Sequence, residues 1–379
     1  MEVYLDNSAT TRPYDDMLEV MMEVMKTSYG NPSSAHLLGK KAEDRLNEFR
    51  QTIANTLGCT KNEIIFTSGG SESNNFLIRG FAKAGSHIIT TKIEHPSVLN
   101  TCAYLEKNGV EVTYLDVDNY GKVDFNKLEE SIKKNTVLVS IMHVNNEIGT
   151  IQDIKSISNI IKKNSSRAKF HVDAVQSYGK IKIDVNKMGI DLLSASGHKI
   201  HGPRGIGIGY FRKGLNPEPL IHGGGQEFGY RSGTENLSSI AGLSYAAEKI
   251  HRDLDENNEK VKILKEYFVQ NIKDIPDIRL NSPISEDFIP HIVNVSFPGI
   301  RGEVFIHLLE EKGIFVSTGS ACSSKKSVKS GVLKSIGLND KEIEGAIRFS
   351  FNYTNTIEEL EYTLNSVNDA LKFLRRVRR

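Results

Sequence analysis

Short apolar runs at 63–67, 87–91, 111–116, 137–143, 169–173, 192–195 and 206–211 are separated by stretches whose apolar residues fall at helical spacing, near 73–84, 97–108, 124–134 and 153–163. Several of the short runs lack polar alternation, as expected of strands buried on both faces. The pattern predicts an α/β architecture: a mostly parallel seven-stranded sheet flanked by helices. Two amphipathic helices, at 14–26 and 36–57, precede it, and Gly58 ends the second. Beyond the sheet, 235–272 reads as helical and 276–290 as loop, followed by short strands at 291–297, 314–317 and 346–351. This implies a smaller α+β domain completed by the N-terminal segment. The expected division is a large domain at 13–255 and a small one made of 1–12 with 256–379. The last helix opens on Thr356 and Glu359 at capping-box spacing. Ile357, Leu360, Leu364, Val367, Leu371 and Leu374 then form one apolar face.

Composition narrows the classes. A chain of 379 residues exceeds the usual size of one core. Its formal net charge of +1 gives no global pull toward nucleic acid or acidic membranes. Cys59, Cys102 and Cys322 are too few and too scattered for a disulfide framework, and none has zinc-site spacing. The first residues do not read as a signal peptide, and no apolar run reaches membrane-spanning length. A cytoplasmic protein with free thiols is expected, with no membrane and no direct nucleic-acid contact.

In sheets of this kind ligands sit beyond the carboxyl ends of the strands. Thr67-Ser68-Gly69-Gly70-Ser71-Glu72-Ser73 opens a helix there. Its backbone N–H groups and hydroxyls suit an anion, although Ser71 or Ser73 could equally cap the helix. His95 follows the second run, where it could stack on a ring, move a proton or simply sit at a helix start. Asn145 and Asn146 follow the fourth, as amides for a ligand or as an Asx-type turn. Asp173 closes the fifth. A buried carboxylate needs a cationic or protonated partner. A pyridinium nitrogen is one, and pyridoxal 5′-phosphate (PLP) enzymes place an Asp there; the alternative is a helix cap. Lys199 lies on a small-residue turn between His198 and His201. It suits imine formation, against the alternative of a solvated lysine. No carboxylate or cysteine joins the two histidines, so no metal is expected. Each alternative is cheap alone. Taken together, the five strand ends offer a phosphate cradle, a ring-facing histidine, an amide, an acid and a lysine, which is what PLP requires.

With these residues in view, the chain resembles cysteine desulfurases of the NifS/IscS type, in the class V aminotransferase family of fold-type I PLP enzymes. The likeness runs from Tyr4 to the region of Arg348. Its motifs are Ser-Gly-His-Lys, His-Val-Asn-Asn-Glu-Ile-Gly, His-Val-Asp-Ala-x-Gln, Tyr-Arg-Ser-Gly-Thr and Gly-Ser-Ala-Cys. The resemblance implies that Lys199 holds PLP as a covalent imine and moves the α-proton. It implies that Asp173 pairs with the ring nitrogen, Gln176 bonds the ring hydroxyl and His95 stacks on the ring. Gly70, Ser71, Ser196 and His198 would hold the phosphate, and Asn146 would contact cofactor or substrate. Arg348, with Asn31, would clamp the substrate carboxylate. Thr234 would reach the phosphate of a neighbouring subunit, which implies a homodimer. Cys322, in a small-residue loop suited to mobility, would take sulfur from L-cysteine as a persulfide and release alanine; Cys59 and Cys102 are left structural. The sulfur would pass to a scaffold or tRNA-thiolation enzyme, for iron–sulfur cluster, tRNA or thio-cofactor synthesis. Another class V enzyme, a selenocysteine lyase or an aminotransferase, is the alternative. Two departures stand out. Ser71 replaces a common threonine, and the chain ends at Arg375-Arg376-Val377-Arg378-Arg379 without the longer tail with which IscS-type proteins engage their scaffold. That tail, with Lys325, Lys326 and Lys329, could steer an acidic acceptor or stand as a solvated charged end.

Overall fold

The computed structural model describes residues 1–318 and 329–377. In chain order the strands are β1 (Val3–Tyr4), β2 (Ile64–Thr67), β3 (His87–Thr91), β4 (Glu111–Leu115), β5 (Thr136–Ser140), β6 (Lys169–Asp173), β7 (Leu192–Ser196), β8 (Gly207–Phe211), β9 (Arg279–Leu280), β10 (Ile292–Ser296), β11 (Ile314–Phe315) and β12 (Ala346–Ser350). The central sheet has seven strands in the order β2-β8-β7-β6-β5-β3-β4. β8 runs antiparallel to β2 and β7, and the other pairings are parallel. β2 through β7 therefore all end on one edge. Strand alternation divides the side chains between two cores. Ile64, Phe66, Ile89, Val139 and Leu193 enter one, while Ile65, Ile88, Leu138 and Leu192 enter the other. Both faces are covered, as the unbroken apolar runs predict. β4 lies at the margin, where only Leu115 is buried.

Helices α1 (Asp15–Thr27), α2 (Leu37–Leu57), α3 (Gly70–Arg79) and α4 (Pro96–Glu106) come early in the chain. α3 starts before the expected 73 because Gly69, not a serine, occupies its N-cap. The expected 137–143 strand loses regular pairing after Ser140, yet Ile141 N still donates to His171 O at 3.0 Å and His143 N to Asp173 O at 3.0 Å. The expected helix at 235–272 is two, Leu237–Arg252 and Leu254–Ile272, broken at Asp253. No helix among the described residues is long and apolar enough to cross a membrane.

A second core gathers Val3, Leu5, Phe268, Val293, Phe305 and Phe349 with neighbours from the final helix. That helix, Ile357–Val377, opens on the expected capping box: Thr356 N donates to Glu359 Oε2 at 3.1 Å and Glu359 N to Thr356 Oγ1 at 3.2 Å. β10 is the middle strand of an antiparallel sheet with β9 and β12, and β1 pairs in parallel with β11. The N-terminal segment is thus built into this second core. It then passes Ser350, where Asn7 Nδ2 donates to Ser350 O at 2.9 Å, on its way to the carboxyl edge of the main sheet.

Candidate active site

The cradle forms where β2 turns into α3. Gly69 has φ 153° and ψ 179°, a conformation that is essentially glycine's own. Among the described residues no side chain caps α3; Ser73 Oγ pairs instead with Thr67 Oγ1 at 2.7 Å. The first-turn N–H groups of Gly70 and Ser71 are therefore left to an anion. Backbone closes in on one side and the Val175 side chain on another. A Cβ on Gly207 would lie 2.6 Å from Gly69 Cα, and one on Gly70 would lie 2.6 Å from Val175 Cγ2. Ser196 Oγ is the atom nearest to a Cβ built on Gly69, at 3.9 Å.

The lysine turn follows β7 as a 3-10 turn, Gly197–Lys199. The N-terminal segment fixes it: Thr11 N and Oγ1 both donate to His198 O, at 2.9 and 3.0 Å. Lys199 Nζ donates to Ser8 O and to Ala9 O, the latter at 2.9 Å. His198 Nδ1 lies 3.3 Å from Thr10 Oγ1. Burial, with Lys199, Arg204 and Lys180 nearby, pulls the His198 pKa down to about 4. Its ring is neutral at pH 7 and keeps one N–H to donate.

Asp173, at the end of β6, is 4% exposed. Its Oδ2 accepts from Asn74 Nδ2 at 2.8 Å and its Oδ1 from Val175 N at 2.9 Å. Both donors are neutral, so a buried carboxylate faces the edge with no cationic side chain bonded to it among the described residues. His95 is the N-cap of α4, with Nδ1 accepting from Ser97 N at 3.1 Å. It is both a helix cap and a ring at the site. Burial lowers its pKa, the nearby Asp173 raises it and Lys199 lowers it. Gln176 donates from Nε2 to Ser8 O at 2.9 Å, while its Oε1 accepts from Lys180 Nζ at 3.2 Å.

Arg348 reaches in from β12. Nη1 donates to Asn146 O at 2.8 Å, Nη2 to Asp6 Oδ1 at 2.7 Å, and Nε is buried with no partner among the described residues. Asn145 makes the Asx-type turn, accepting from Glu147 N at 2.9 Å and Ile148 N at 3.0 Å. Asn31 and Thr234 stand elsewhere: they line a surface pocket of about 350 Å³ with Met25 and Tyr29. Within one chain the structure brings Lys199, His198, Ser196, Gly70, Ser71, Asp173, Gln176, His95 and Arg348 to one edge, and Asn31 with Thr234 to another place. Cys322, Lys325 and Lys326 lie outside the described residues. Burial pushes the thiols of Cys59 and Cys102 up to about 12, so both stay protonated at neutral pH. Lys329 pairs with Asp340 at 2.7 Å, and Arg375 donates to Pro276 O at 2.7 Å.

Three buried side chains at this edge escape a reading of the sequence. Asn74 holds Asp173, and its only linear signal is its place one helical turn beyond Gly70. Lys180 follows Gln176 by four residues. Glu94 lies beside His95 and is buried with Oε2 unpartnered among the described residues.

The residues present fit PLP: a glycine-lined anion cradle, a buried carboxylate without a cation, and a lysine between them. Sheet order and centre together are those of a fold-type I PLP-dependent enzyme. The family model described as Aminotransferase class-V matches residues 3–363. The chain is 44% identical over 381 residues to "Cysteine desulfurase IscS" of Dictyoglomus turgidum, covering 99% of this chain and 96% of that protein. A solved "NIFS-LIKE PROTEIN" superposes with a TM-score of 0.93 at 41% identity, covering 99% of this chain and all (100%) of that one. Another, described as "SspA in complex with cysteine", gives 0.82 at 38% identity, covering 93% and 100%. The chain belongs to the class V aminotransferase family.

Proposed function

We propose that Lys199 and Cys322 divide the work of a PLP-dependent L-cysteine desulfurase, the lysine carrying the cofactor and the cysteine receiving sulfur. The chain is a cysteine desulfurase: it converts L-cysteine to L-alanine and passes the sulfur to an acceptor. The observation that carries the site assignment is the meeting of Lys199, Asp173 and His95 at the carboxyl edge of one sheet, beside a cradle no side chain caps.

When bound, PLP supplies an electron sink for the charge left when the substrate α-carbon loses its proton. Gly70, Ser71, Ser196 and His198 would hold its phosphate. Asp173, held by Asn74, keeps its ring nitrogen protonated, since a buried carboxylate favours a neighbouring cation. Gln176 would donate to its ring oxygen and His95 would stack on its ring. Arg348 binds the substrate carboxylate and so orients the α-hydrogen toward Lys199 Nζ, which takes the proton. The Cys322 thiolate attacks the substrate sulfur. The sulfur–sulfur bond forms, the carbon–sulfur bond breaks, and a proton returned to the β-carbon completes alanine. Asn146 contacts cofactor or substrate, and Asn31 the substrate.

Thr234 completes the cradle of a second subunit, and the chain works as a homodimer. The exposed apolar face of α1 (Leu18, Met22 and Met25), next to the Thr234 pocket, supports this. Residues 13–255 form the cofactor domain and 1–12 with 256–379 the smaller one; their separate cores support the division. The protein works in the cytoplasm, where the Cys322 persulfide meets a scaffold or tRNA-thiolation acceptor.

The test is alanine release from L-cysteine by purified yellow protein. Lys199→Ala is expected to abolish it along with the visible band of the Schiff base. Cys322→Ala is expected to lose sulfur transfer to an acceptor thiol. Full activity in Lys199→Ala refutes the assignment. Normal alanine and sulfide production in Cys322→Ala returns the chain to the lyase alternative.

A further inference from the structure

Lys180 is one of the least expected groups in the molecule. It is 6% exposed, has no carboxylate partner among the described residues, and sits within the electrostatic reach of Lys199 and Arg348. Its Nζ donates to Gln176 Oε1 at 3.2 Å, and its own carbonyl accepts from Asn258 Nδ2 at 2.8 Å. Gln176 in turn donates from Nε2 to Ser8 O at 2.9 Å, the same carbonyl that accepts from Lys199 Nζ. A line of contacts thus runs Lys180, Gln176, Ser8, Lys199.

A carboxamide can face either way, and its surroundings decide which end is which. In its ammonium form Lys180 only donates, so below its own titration it selects the oxygen end of Gln176. The NH₂ end is then turned toward Ser8 and Lys199. Burial pulls the Lys180 pKa down to about 7, and Lys199 and Arg348 press the same way. Such repulsion is mutual, so Lys180 acts on Lys199 as Lys199 acts on it. The other charged or titratable groups around this line of contacts are His198 on the Lys199 turn, His95 at the start of α4, Asp173 at the end of β6, Arg348 with its partner Asp6, and, beside Lys180, His201 and His291.

We propose that Lys180 is a positioning residue of the cofactor centre: it sets the orientation of the Gln176 amide, so that the NH₂ end serves the cofactor's ring oxygen, and it places a second positive charge behind Lys199. This rests on the cofactor reading above. Both effects favour the deprotonated Schiff base. The donor stabilises the ring oxygen's negative charge, and the cation opposes a proton on the Lys199 nitrogen.

The experiment is an absorbance titration of the holoenzyme without substrate, following the pH-dependent visible band. In Lys180→Met and Lys180→Gln the midpoint is expected to rise by roughly one pH unit or more, the scale on which a neighbouring charge moves a titration. Lys180→Arg, which keeps the charge and the donor, is expected to hold near the parent value. An unmoved midpoint in folded neutral variants overturns the inference, as does an arginine variant that shifts as far as they do. Should neither neutral variant fold, the arginine variant decides: an upward shift there overturns the inference and an unmoved midpoint supports it. A visible band that survives in Lys199→Ala overturns the cofactor reading instead, so the two failures are distinct.

Discussion

Glu94 couples the stability of this fold to pH in a calculable way. It follows β3 and is 2% exposed. Oε1 accepts from Thr91 Oγ1 at 2.7 Å and from Met142 N at 3.0 Å, while Oε2 has no partner among the described residues. Two hydrogen bonds on one oxygen do not offset the loss of water around both. Burial, reinforced by the Asp173 carboxylate, pushes the Glu94 pKa up from 4.5 to about 8. Between those values the folded protein keeps a proton that the unfolded chain has released. The native state then binds more protons, so the Glu94 contribution falls as pH rises, by roughly 1.4 kcal/mol per pH unit through that window. It is fully present below the unfolded value and lost once pH passes the folded one. Glu94→Gln has the shape of the protonated acid and does not titrate. The stability of Glu94→Gln minus that of the parent is therefore expected to climb at about that slope from about pH 5 to pH 8. Urea unfolding followed by far-ultraviolet circular dichroism, at one protein concentration for both proteins, measures it. A difference that stays flat across the window refutes the account, because it would mean that Glu94 titrates alike in both states.

Two further outcomes follow from packing. Arg50 and Glu227 form a buried two-point ion pair at 2.7 and 2.8 Å, and Phe66 N donates to Glu227 at 2.9 Å. Glu227→Ala strands the guanidinium and is expected to cost about 3–5 kcal/mol of unfolding free energy, much of it recovered in an Arg50→Met, Glu227→Leu double variant; a loss under about 1 kcal/mol in urea unfolding counts against this. Gly207→Ala places a Cβ 2.6 Å from Gly69 Cα and 2.8 Å from Ala195 O, both of them backbone. It is expected to cost about 1–3 kcal/mol and to weaken PLP binding by displacing the Gly69 turn; an unchanged Tm together with an unchanged PLP titration refutes it.

The strand-end residues were legible because one topological rule orders them. The six parallel runs all end on the same edge, so Asp173, His95 and Lys199 could be grouped before any contact was known. Hydrophobic alternation carried the layers for the same reason. What was not legible depends on which polar group meets which. Asn74 looks like any polar residue on a helix until its amide is found on Asp173. Asp6 looks like turn chemistry until it meets Arg348, 342 residues away. Helix limits failed where glycine decided them: Gly69 moves the start of α3 away from Ser71 and Ser73, which local propensity favours as caps.

The N-terminal segment is where these unreadable contacts accumulate, and its position explains why. Within four residues it touches both halves of the proposed chemistry. Asp6 holds the guanidinium of Arg348, and Asn7 and Ser8 are bonded to Ser350 on the same strand. Ser8 and Ala9 then present their carbonyls to Lys199. Four residues so close in sequence cannot move independently. If a substrate carboxylate binds Arg348 as proposed, it would compete with Asp6 there, and a shift of this segment would reach the Ser8 and Ala9 carbonyls that accept from Lys199.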